Sequence, residues 1–593
     1  MEAWFFVRLV ATKMLPAKYL WLIAAVLVIL AGVIGFLVWN VKKKVPFWIG
    51  TALAVLFSAA FVIGGSAVGK VHGTIRSWEQ TTESVRTVHM GVYVLADDTA
   101  QALEEIAGDP IGIMAQVDRE EAEKVLTNIS SELQVSLKVR TYNSFIEEVL
   151  ALQRGEVRSI ILDQDYIDVI VQIPGYEDIT QRIRSLDTYR VDVPAFTTTE
   201  VVPSGAAETT GAEEPSGTEN ESDSAHHTKA PHSWEILNPE DETTTAEPTE
   251  TAEDPTEPGR SDDPAPQTPA TAAPPAPTAA PTTPAPPTTA ASITVPAGQE
   301  GRIFTLYISG LDNRGGGLAS RGNSDVNILA VVNMNSKQLL LINTPRDFYV
   351  PFPLAGGTRD KLTHGGYYGV QASMDILKGL YGVTSDYYFR VGFSGFRQLV
   401  NTLGGVSVYS AYDFETGTVR KTIETLIPAT NEAGETDESA ESVVSTETIT
   451  EAKYHFHAGY NDVDGEAALA FVRERHSFDT GDRMRGQNQM ELIKAVLRKA
   501  TSTSALANYS AVLDSVSGLV QTSMPYDVMS SMVQSFLNGD SWNIVSYAVS
   551  GSNGNEYCFS IGMRNYVMWP NYSMVNYAQS LIRQVYNGSW VSP

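Results

Sequence analysis

The sequence predicts an α/β protein whose strands and helices surround a central sheet, preceded by membrane-spanning helices. Short apolar runs alternate with amphipathic segments in residues 85–195 and again in 299–590. Two stretches of about twenty apolar residues come before them, each long enough to cross a bilayer. At 593 residues the chain is too long for one hydrophobic core, so we expect several domains.

Residues 1–75 are predicted to be a membrane anchor. Its two spans lie near residues 19–39 and 47–68, and neither is followed by a convincing signal-peptide cleavage site. The lysines at 42–44 lie between the spans, and the positive-inside rule places them in the cytoplasm. We therefore expect a multi-pass protein of the cell membrane, with everything after residue 70 on the extracellular side.

Residues 85–195 are predicted to form a small accessory α/β domain. Four apolar runs are typical of strands, GVYVLA, IGIMAQV, LKVRTY and SIILDQ, and the segments EEAEKVLTNISSEL and FIEEVLALQRG are typical of helices. Ser144 and Glu147 have the spacing of a capping box at the start of the second helix. No metal spacing, phosphate loop or nucleophile pattern occurs here. An accessory domain is therefore favoured over a ligand-binding site.

Residues 196–298 have a different composition, rich in Pro, Thr and Ala with many acidic residues. So few apolar side chains cannot offset the entropy of ordering, which predicts a disordered linker. As a flexible coil of this length it would span roughly 55 Å on average and would give the next domain reach. A second acidic, Ser/Thr-rich stretch at 430–453 is predicted to be a surface insertion in the last domain.

Charge and cysteine content exclude some functions. The formal net charge of −27 argues against a nucleic-acid partner, because such proteins normally present a basic face. The single cysteine, Cys558, excludes an internal disulfide framework.

An arginine-rich stretch, FVRERHSFDTGDRMRGQNQ, stands out in this acidic chain. Arg473 and Arg475 are two apart and would point to one side of an extended segment. Asp482, Arg485 and Gln489 have the spacing of one helix face. Planar guanidinium groups at this density favour phosphate as a ligand. Ion pairing with the acidic residues in and around the stretch is an equally good interpretation of the spacing alone; these are Glu474, Asp479 and Asp482.

Two further signals lie upstream. Asp312 and Asp325 flank a Gly-rich loop between two predicted strands, and paired carboxylates suit Mg²⁺. Arg346 and Asp347 directly follow the apolar strand LLLIN, where functional side chains are common. In both places the ordinary alternative is that these residues only form turns.

Taken together and in order, these stretches resemble the LytR–CpsA–Psr (LCP) family of membrane-anchored cell-wall enzymes. The resemblance covers nearly all of residues 303–500, and the arrangement of spans, accessory domain and last domain is similar to the capsule-associated CpsA-like branch. The matching stretches are SGLDNR, NSDVNILAVVN, LINTPRDFYVPFP, DKLTHGGYYG, DYYFRVGFSGFRQLVNTLGGVSV, DVDGEAALAFVRERH and GDRMRGQNQMELIKAVL.

The resemblance implies a fold and an activity. The fold would be an α-β-α sandwich around a mixed central sheet, over residues 299–590. The activity would be phosphotransfer, moving a teichoic acid or capsular glycopolymer from undecaprenyl diphosphate to peptidoglycan, through a phosphodiester to N-acetylmuramic acid. Mg²⁺ would be the cofactor.

The resemblance also implies residue roles. Asp312 and Asp325 would hold the metal. The catalytic positions would be Arg346, Arg473, Arg475, Asp482, Arg485 and Gln489. Substrate contacts would come from Arg321, Asp347 and Lys361.

One position departs from the family pattern, and three questions stay open. Many members carry an arginine two residues before Asp325, where this chain has Asn323, so either Arg321 replaces it or a phosphate contact is lost. The general base could be Asp347, Asp482 or neither. The chain could also be a non-enzymatic extracellular scaffold, or a pyrophosphatase that hydrolyses polyprenyl diphosphate.

Overall fold

The computed structural model describes most of the chain outside its Pro-rich region. The described residues are 1–11, 15–39, 45, 47–62, 65–66, 85–194, 234–236, 292–299, 301–312, 318–427, 443–478, 481–500, 502 and 518–592.

Three helices lie at the N-terminus: α1 (Glu2–Ala11), α2 (Ala17–Trp39) and α3 (Phe47–Val62). The 23-residue α2 is long and apolar enough to span a membrane, whereas the apolar α3 is shorter than a spanning helix in its described part. A Cβ atom on Gly50 would lie 2.7 Å from the Cβ of Leu37, so α3 packs closely against the end of α2. The described residues thus contain one helix of spanning length, and the multi-pass anchor stays a prediction.

The first sheet has six strands in the order β5-β1-β4-β2-β3-β6. In chain order these are β1 (Val85–Leu95), β2 (Pro110–Met114), β3 (Leu137–Tyr142), β4 (Ser159–Asp163), β5 (Ile183–Pro194) and β6 (Trp234–Ile236). Strands β2, β3, β4 and β6 are parallel, while β1 and β5 are antiparallel to their neighbours. The helices are α4 (Arg119–Leu133), α5 (Phe145–Gln153), α6 (Asp165–Ile170) and α7 (Ile179–Arg182), with a 3-10 helix at Leu103–Glu105. The strands and helices predicted in this region are present.

The predicted cap of α5 forms, although one of its two bonds differs from the capping-box pattern. Ser144 Oγ accepts a hydrogen bond from Glu147 N at 3.2 Å. The Glu147 carboxylate accepts from Asn143 N, one residue before the cap, at 3.0 Å. Ser144 Oγ also donates to Phe559 O at 3.2 Å. The helix start is therefore fixed by residues from two distant parts of the chain.

The disordered-linker prediction falls mostly on residues outside the described ones, and it is wrong at two places. Trp234–Ile236 adds strand β6 to the open edge of β3. Ile293 pairs with Val383 and is 9% exposed. The unpaired backbone groups of an edge strand offer a template for such a short segment, which composition over a long window does not show.

The second sheet is also six-stranded, in the order β19-β12-β7-β8-β9-β20. Its strands are β7 (Ile303–Leu311), β8 (Ser324–Asn333), β9 (Gln338–Asn343), β12 (Tyr387–Gly392), β19 (Val520–Thr522) and β20 (Asn543–Ala548). Pairs β7–β12 and β9–β20 are parallel, and pairs β7–β8, β8–β9 and β12–β19 are antiparallel. The sheet is therefore mixed, as predicted.

Helices cover both faces of this sheet. The helices of this region are α8 (Val370–Tyr381), α9 (Phe393–Thr402), α10 (Gly465–Arg473), α11 (Gly481–Ala500), α12 (Tyr526–Leu537) and α13 (Tyr572–Tyr586), with 3-10 helices at Pro353–Ala355 and Leu362–Tyr368. Helices α8 and α13 pack on one face, and α11 and α12 pack on the other. This is the α-β-α arrangement that the sequence predicts.

The remaining strands form two-stranded ribbons around the sandwich. They are β10 (Tyr349–Pro351), β11 (Arg359–Lys361), β13 (Val406–Ser410), β14 (Phe414–Glu415), β15 (Val419–Ile427), β16 (Val443–Ala452), β17 (His455–Phe456), β18 (Gly459–Val463), β21 (Gly551–Cys558) and β22 (Met563–Pro570). The acidic insertion predicted at 430–453 includes β16, which pairs antiparallel with β15. Its residues before Val443 lie outside the described ones.

The two sheets belong to one packed body, because a single hydrophobic cluster contains residues from both. Phe145 of α5 lies 6.0 Å from Tyr367 and 5.6 Å from Tyr368, ring centroid to ring centroid. Tyr166 of α6 lies 6.4 Å from Tyr368. All four rings are buried. One face of the accessory sheet thus shares its core with the larger region, while the other face closes a separate hydrophobic cluster under α4.

Candidate active site

Several predicted site residues lie at one edge of the second sheet because of its strand directions. Strands β7, β9 and β12 run the same way, so their carboxyl ends share an edge, and the antiparallel β8 begins there. Asp312 directly follows β7, and its backbone N donates to Asn323 O at 3.1 Å. Asp325 is the second residue of β8, and Arg346 follows β9. The fold thus brings residues far apart in sequence to one place.

An ionic cluster forms at this edge. Arg346 Nη1 lies 2.7 Å from Asp325 Oδ1, and Arg346 Nε lies 3.5 Å from Asp347 Oδ2. Asp347 Oδ1 accepts from Lys361 Nζ at 3.0 Å, and Arg485 Nη2 lies 3.9 Å from Asp347 Oδ2. We call Asp325, Arg346, Asp347, Lys361 and Arg485 the charge cluster.

Asp347 organises the charge cluster. Its carboxylate is 4% exposed and faces two arginines and a lysine. Burial alone would raise the pKa of this carboxyl, but Lys361 and Arg346 outweigh burial and hold the pKa below its usual range. A carboxylate held ionised in this way is a poor proton acceptor at neutral pH. Its position between three cationic side chains suits holding them in place better than acting as a general base.

Helix α11 brings Arg485 and Gln489 to the cluster, as their spacing predicts. Asn343, the last residue of β9, anchors this helix: its Nδ2 donates to Gly486 O and Gln489 Oε1, each at 2.9 Å. Asp482 lies in the first turn of the same helix, and its side chain is outside what the structure describes. Asn343 was not among the predicted site residues. The sequence feature that could have indicated Asn343 is an amide residue at the end of an apolar strand, shortly before Arg346.

Arg473 and Arg475 lie differently from the prediction. Arg473 is the last residue of α10, so the two arginines do not share one extended segment. The Arg473 guanidinium lies 4.7 Å from the ring centre of Phe393, the residue that follows β12 at the same sheet edge. Arg475 Nε contacts His476 Nε2 at 3.3 Å. Among the described residues, no ion pair joins either arginine to the charge cluster.

Glu474 fixes the turn between these arginines, a role that sequence reasoning missed. Its Oε1 accepts from the backbone N atoms of Arg475, His476 and Ser477 at 2.6–3.0 Å, and its Oε2 accepts from Gly417 N at 2.8 Å. Burial raises the pKa of Glu474, but these hydrogen bonds outweigh it and leave the pKa low. Glu474 therefore shapes the loop, and among the residues that the structure describes it forms no ion pair with an arginine, unlike in the alternative interpretation.

Arg321 does not take the place of the arginine that Asn323 replaces. Its guanidinium points to the accessory region, where it pairs with Asp118 and Asp163 at 2.7 and 3.0 Å, and it is 6% exposed. Burial lowers the pKa of Arg321, but the neighbouring acidic groups hold it well above the ordinary value. The expected substrate contact at Arg321 is therefore corrected: this side chain is engaged inside the protein.

An apolar groove of about 280 Å³ opens beside the charge cluster. It lies between the sheet and helices α9, α10 and α11, and its lining is apolar except for Gln489. Gly310 and Val326 in the lining neighbour the two aspartates in sequence, and Phe393 links the groove to Arg473. The groove therefore begins where the charged residues end.

A buried trio behind Lys361 has metal-binding residue types but is satisfied by hydrogen bonds. Asp360 lies near His364 and Cys558. Its oxygens accept from His364 Nδ1 and Lys361 N at 2.7 and 2.6 Å and from Ser560 N at 2.8 Å. Burial raises the pKa of Asp360, but His364 and Ser560 outweigh it and keep the pKa low. The trio braces the strand that carries Lys361.

Comparison with known proteins decides the family. The model of the LytR_cpsA_psr family matches residues 279–577, just over half of the chain. This chain belongs to the LytR–CpsA–Psr family. Its charge cluster, Arg473, Arg475 and the groove all lie within the matched residues.

Curated relatives of this LCP chain are transferases by name. It is 27% identical over 227 residues to the polyisoprenyl-teichoic acid–peptidoglycan teichoic acid transferase TagU of Enterococcus faecalis, covering 38% of this chain and 63% of that one. It is 29% identical over 216 residues to the corresponding TagT of Bacillus subtilis, covering 36% and 58%. The alignments thus span less than two thirds of either relative. The crystal structure of Bacillus subtilis TagV matches 49% of this chain and 100% of its own at 19% identity, with a TM-score of 0.37.

Proposed function

We propose that this LCP protein transfers a glycopolymer from a polyprenyl diphosphate to peptidoglycan outside the cell membrane. One observation carries the proposal: the charge cluster and the apolar groove adjoin on helix α11, where Arg485 belongs to the cluster and Gln489, one turn later, lines the groove. A lipid diphosphate has an apolar chain joined directly to an anionic group, and this site has the matching halves side by side. The names of the curated relatives support the same reaction class.

The diphosphate would lie against the arginines and Lys361. Guanidinium groups bind phosphate oxygens in a bidentate manner, and a compact lysine adds a point charge. Arg346 and Arg485 come from different elements, and Asp347 holds both near one point. Arg473 stands at the rim, over Phe393, where a second phosphate or the first sugar would pass. This arrangement would stabilise charge that develops in the transition state.

Asp312 and Asp325 would hold the Mg²⁺. Both residues lie at the same sheet edge, and hard oxygen donors are what Mg²⁺ prefers. Asp325 Oδ1 pairs with Arg346, so this residue would connect the ion to the phosphate-binding cations. When bound, the ion would neutralise charge on the diphosphate oxygens.

The reaction is a displacement at phosphorus. An acceptor hydroxyl of peptidoglycan forms a bond to the phosphorus that carries the glycan. The bond from that phosphorus to the bridging oxygen breaks, polyprenyl monophosphate leaves with the electron pair, and the hydroxyl proton passes to water. Positioning and charge neutralisation do most of the work in such transfers. Asp347 is thus assigned to positioning.

The test is product analysis with the full-length chain in lipid nanodiscs. The chain is given Mg²⁺, a short glycan on polyprenyl diphosphate, and peptidoglycan fragments. We expect polyprenyl monophosphate together with a glycan–peptidoglycan phosphodiester. Monophosphate release without the phosphodiester would identify a pyrophosphatase. No release at all, with the lipid bound, would identify a scaffold.

A further inference from the structure

Arg321 joins the accessory region to the loop between Asp312 and Asp325. All three guanidinium nitrogens donate hydrogen bonds. Nη2 donates to Asp118 Oδ2 at 2.7 Å and to Asp163 Oδ2 at 3.0 Å. Nε donates to Asp163 Oδ2 at 3.2 Å. Nη1 donates to Tyr166 Oη at 2.9 Å, and the guanidinium carbon lies 4.2 Å from the ring centre of Tyr166. The arginine is thus held by a complete set of partners.

The partners of Arg321 lie at the carboxyl ends of the parallel strands of the first sheet. Asp163 is the last residue of β4, and Asp118 immediately precedes α4, which follows β2; the Asp118 side chain makes no capping hydrogen bond to that helix. Helices α4 and α5 cover opposite faces of this sheet. In doubly wound α/β sheets, ligands bind in the crevice at the carboxyl ends of the strands, where one connecting helix lies on one face of the sheet and the next lies on the other face. Here the crevice is filled by an arginine from the neighbouring region of the same chain.

Asp118 has an unusual backbone that supports a specific role. Its φ of 52° places a non-glycine residue in the left-handed region, which Asp tolerates better than most residues do. Such conformations persist where surrounding contacts over-determine them. The contact with Arg321 is one of these.

The residues on both sides of Arg321 are also fixed. Ser320 Oγ bonds to the Asp165 carboxylate, and Ser320 O accepts from Arg390 Nη2 at 2.9 Å. Gly322 N donates to Gly366 O at 3.1 Å, and a Cβ on Gly366 would overlap Gly322 O. Residues 320–322 are therefore clamped one after another, immediately before β8 begins.

We propose that Arg321 is a positioning residue through which the accessory region sets the cation affinity of the Asp312–Asp325 pair. The fixed residues 320–322 end two residues before Ser324, and Asn323 O accepts from Asp312 N at 3.1 Å. They therefore constrain the backbone on which both aspartates are placed. Side chains that orient metal ligands without touching the metal commonly change affinity by about 10–100-fold when they are mutated. The proposal rests on the proposed metal site and not on the transfer reaction.

The test is Mn²⁺ binding by the full-length chain, followed by electron paramagnetic resonance, alongside a Mg²⁺ titration of transfer. Arg321→Gln should weaken Mn²⁺ binding by about 10–100-fold. It should raise the Mg²⁺ concentration for half-maximal transfer in proportion, with kcat at saturating Mg²⁺ changed far less. Arg321→Lys, which keeps the charge but loses the planar fork, should fall in between.

Arg158→Gln is the matched control. Arg158 pairs with Asp98 at 3.0 Å and with Asp109 at 2.9 Å in the same accessory region, and among the described residues it has no hydrogen bond or ion pair to the loop. It should keep the Mn²⁺ affinity of the parent chain. If Arg321→Gln fails to fold, Ser320→Ala, which removes only the bond to Asp165, should still weaken Mn²⁺ binding measurably.

Three outcomes would overturn the proposal. They are unchanged Mn²⁺ affinity in folded Arg321→Gln, unchanged affinity in Ser320→Ala when Arg321→Gln does not fold, and equal loss in Arg158→Gln. Mn²⁺ binding that needs Asp325 and Arg321 in a chain that transfers no glycan would support it while the proposed function fails.

Discussion

Replacing Asp347 with asparagine should disable the site by removing a charge while leaving the size of the side chain almost unchanged. Asparagine is nearly isosteric with aspartate, but it removes the negative charge that Lys361, Arg346 and Arg485 share at 3.0, 3.5 and 3.9 Å. The Lys361 side chain is 9% exposed and the Arg485 side chain 11% exposed, so water cannot replace the lost partner well.

The magnitude follows from burial. Removing one member of a buried ion pair costs about 3–5 kcal/mol. For a unit of this size each kcal/mol lowers the melting temperature by about 2–4 °C, so we expect a fall of roughly 6–20 °C. The transfer rate should fall by about 10²–10³-fold, comparable to the loss of an oxyanion-stabilising donor. The reason is that two arginines and a lysine are no longer held in position by a shared carboxylate.

The stability difference should also depend on pH. The pKa of Asp347 is lower in the folded chain than in the unfolded one, so its contribution is fully present above the usual carboxyl pKa near 4. The contribution is lost as the pH falls through the lowered value. The gap in unfolding free energy between parent and Asp347→Asn should thus be constant near neutral pH and shrink below about pH 4.

The assay is transfer rate with melting temperature, and Asp540→Asn is the matched control. Asp540 also pairs with a lysine, Lys337, at 3.0 Å, but both side chains are about one third exposed (33% and 34%). This change should lower the melting temperature little and leave transfer intact, because solvent screens an exposed ion pair. A folded Asp347→Asn chain with full transfer rate and the acid stability of the parent would refute this reasoning.

Other changes have distinct expected results. Arg485→Lys should reduce transfer by about tenfold or more, measured as kcat/KM, because lysine cannot bind phosphate through a planar fork; an unchanged kcat/KM would exclude Arg485 from the site. Asn343→Ala should lower transfer and reduce the free energy of unfolding by about 1–3 kcal/mol, because it releases Gly486 and Gln489. Equal transfer rates would show that α11 needs no such anchor. Val391→Glu places a charged residue in the groove and should raise KM for long polyprenyl diphosphates but not for short-chain ones. The reason is that each buried CH₂ of the lipid contributes about 0.8 kcal/mol. Equal effects on KM for both lipids would show that the lipid chain binds elsewhere.

The sequence was informative about elements and about which residues meet, but less so about how they meet. The helix-face spacing of Arg485 and Gln489 and the strand before Arg346 were predicted correctly, because periodicity is a local property. The place of Arg473 at a helix end was missed, since a helix boundary depends on capping contacts that spacing does not show.

Longer-range features could not be read from the pattern. Arg321 looked like a free phosphate ligand because its partners Asp118 and Asp163 lie more than 150 residues earlier in the chain. The groove was not located, because its lining comes from several strands and helices that the fold brings together. The identity of each buried polar contact is a tertiary property.

The contact between the two sheets changes what the Pro-rich region can do. The strand before it, β5, and Ile293 near its end both pack in a single core. Between them, β6 pairs with β3. A segment tied at both ends to one core cannot work as a flexible tether that lets the last domain move away from the accessory region. Loop-closure entropy grows by only about 0.6 kcal/mol for each doubling of length. The length of this stretch could therefore change in evolution at little cost in stability while the charge cluster and the groove stay in place.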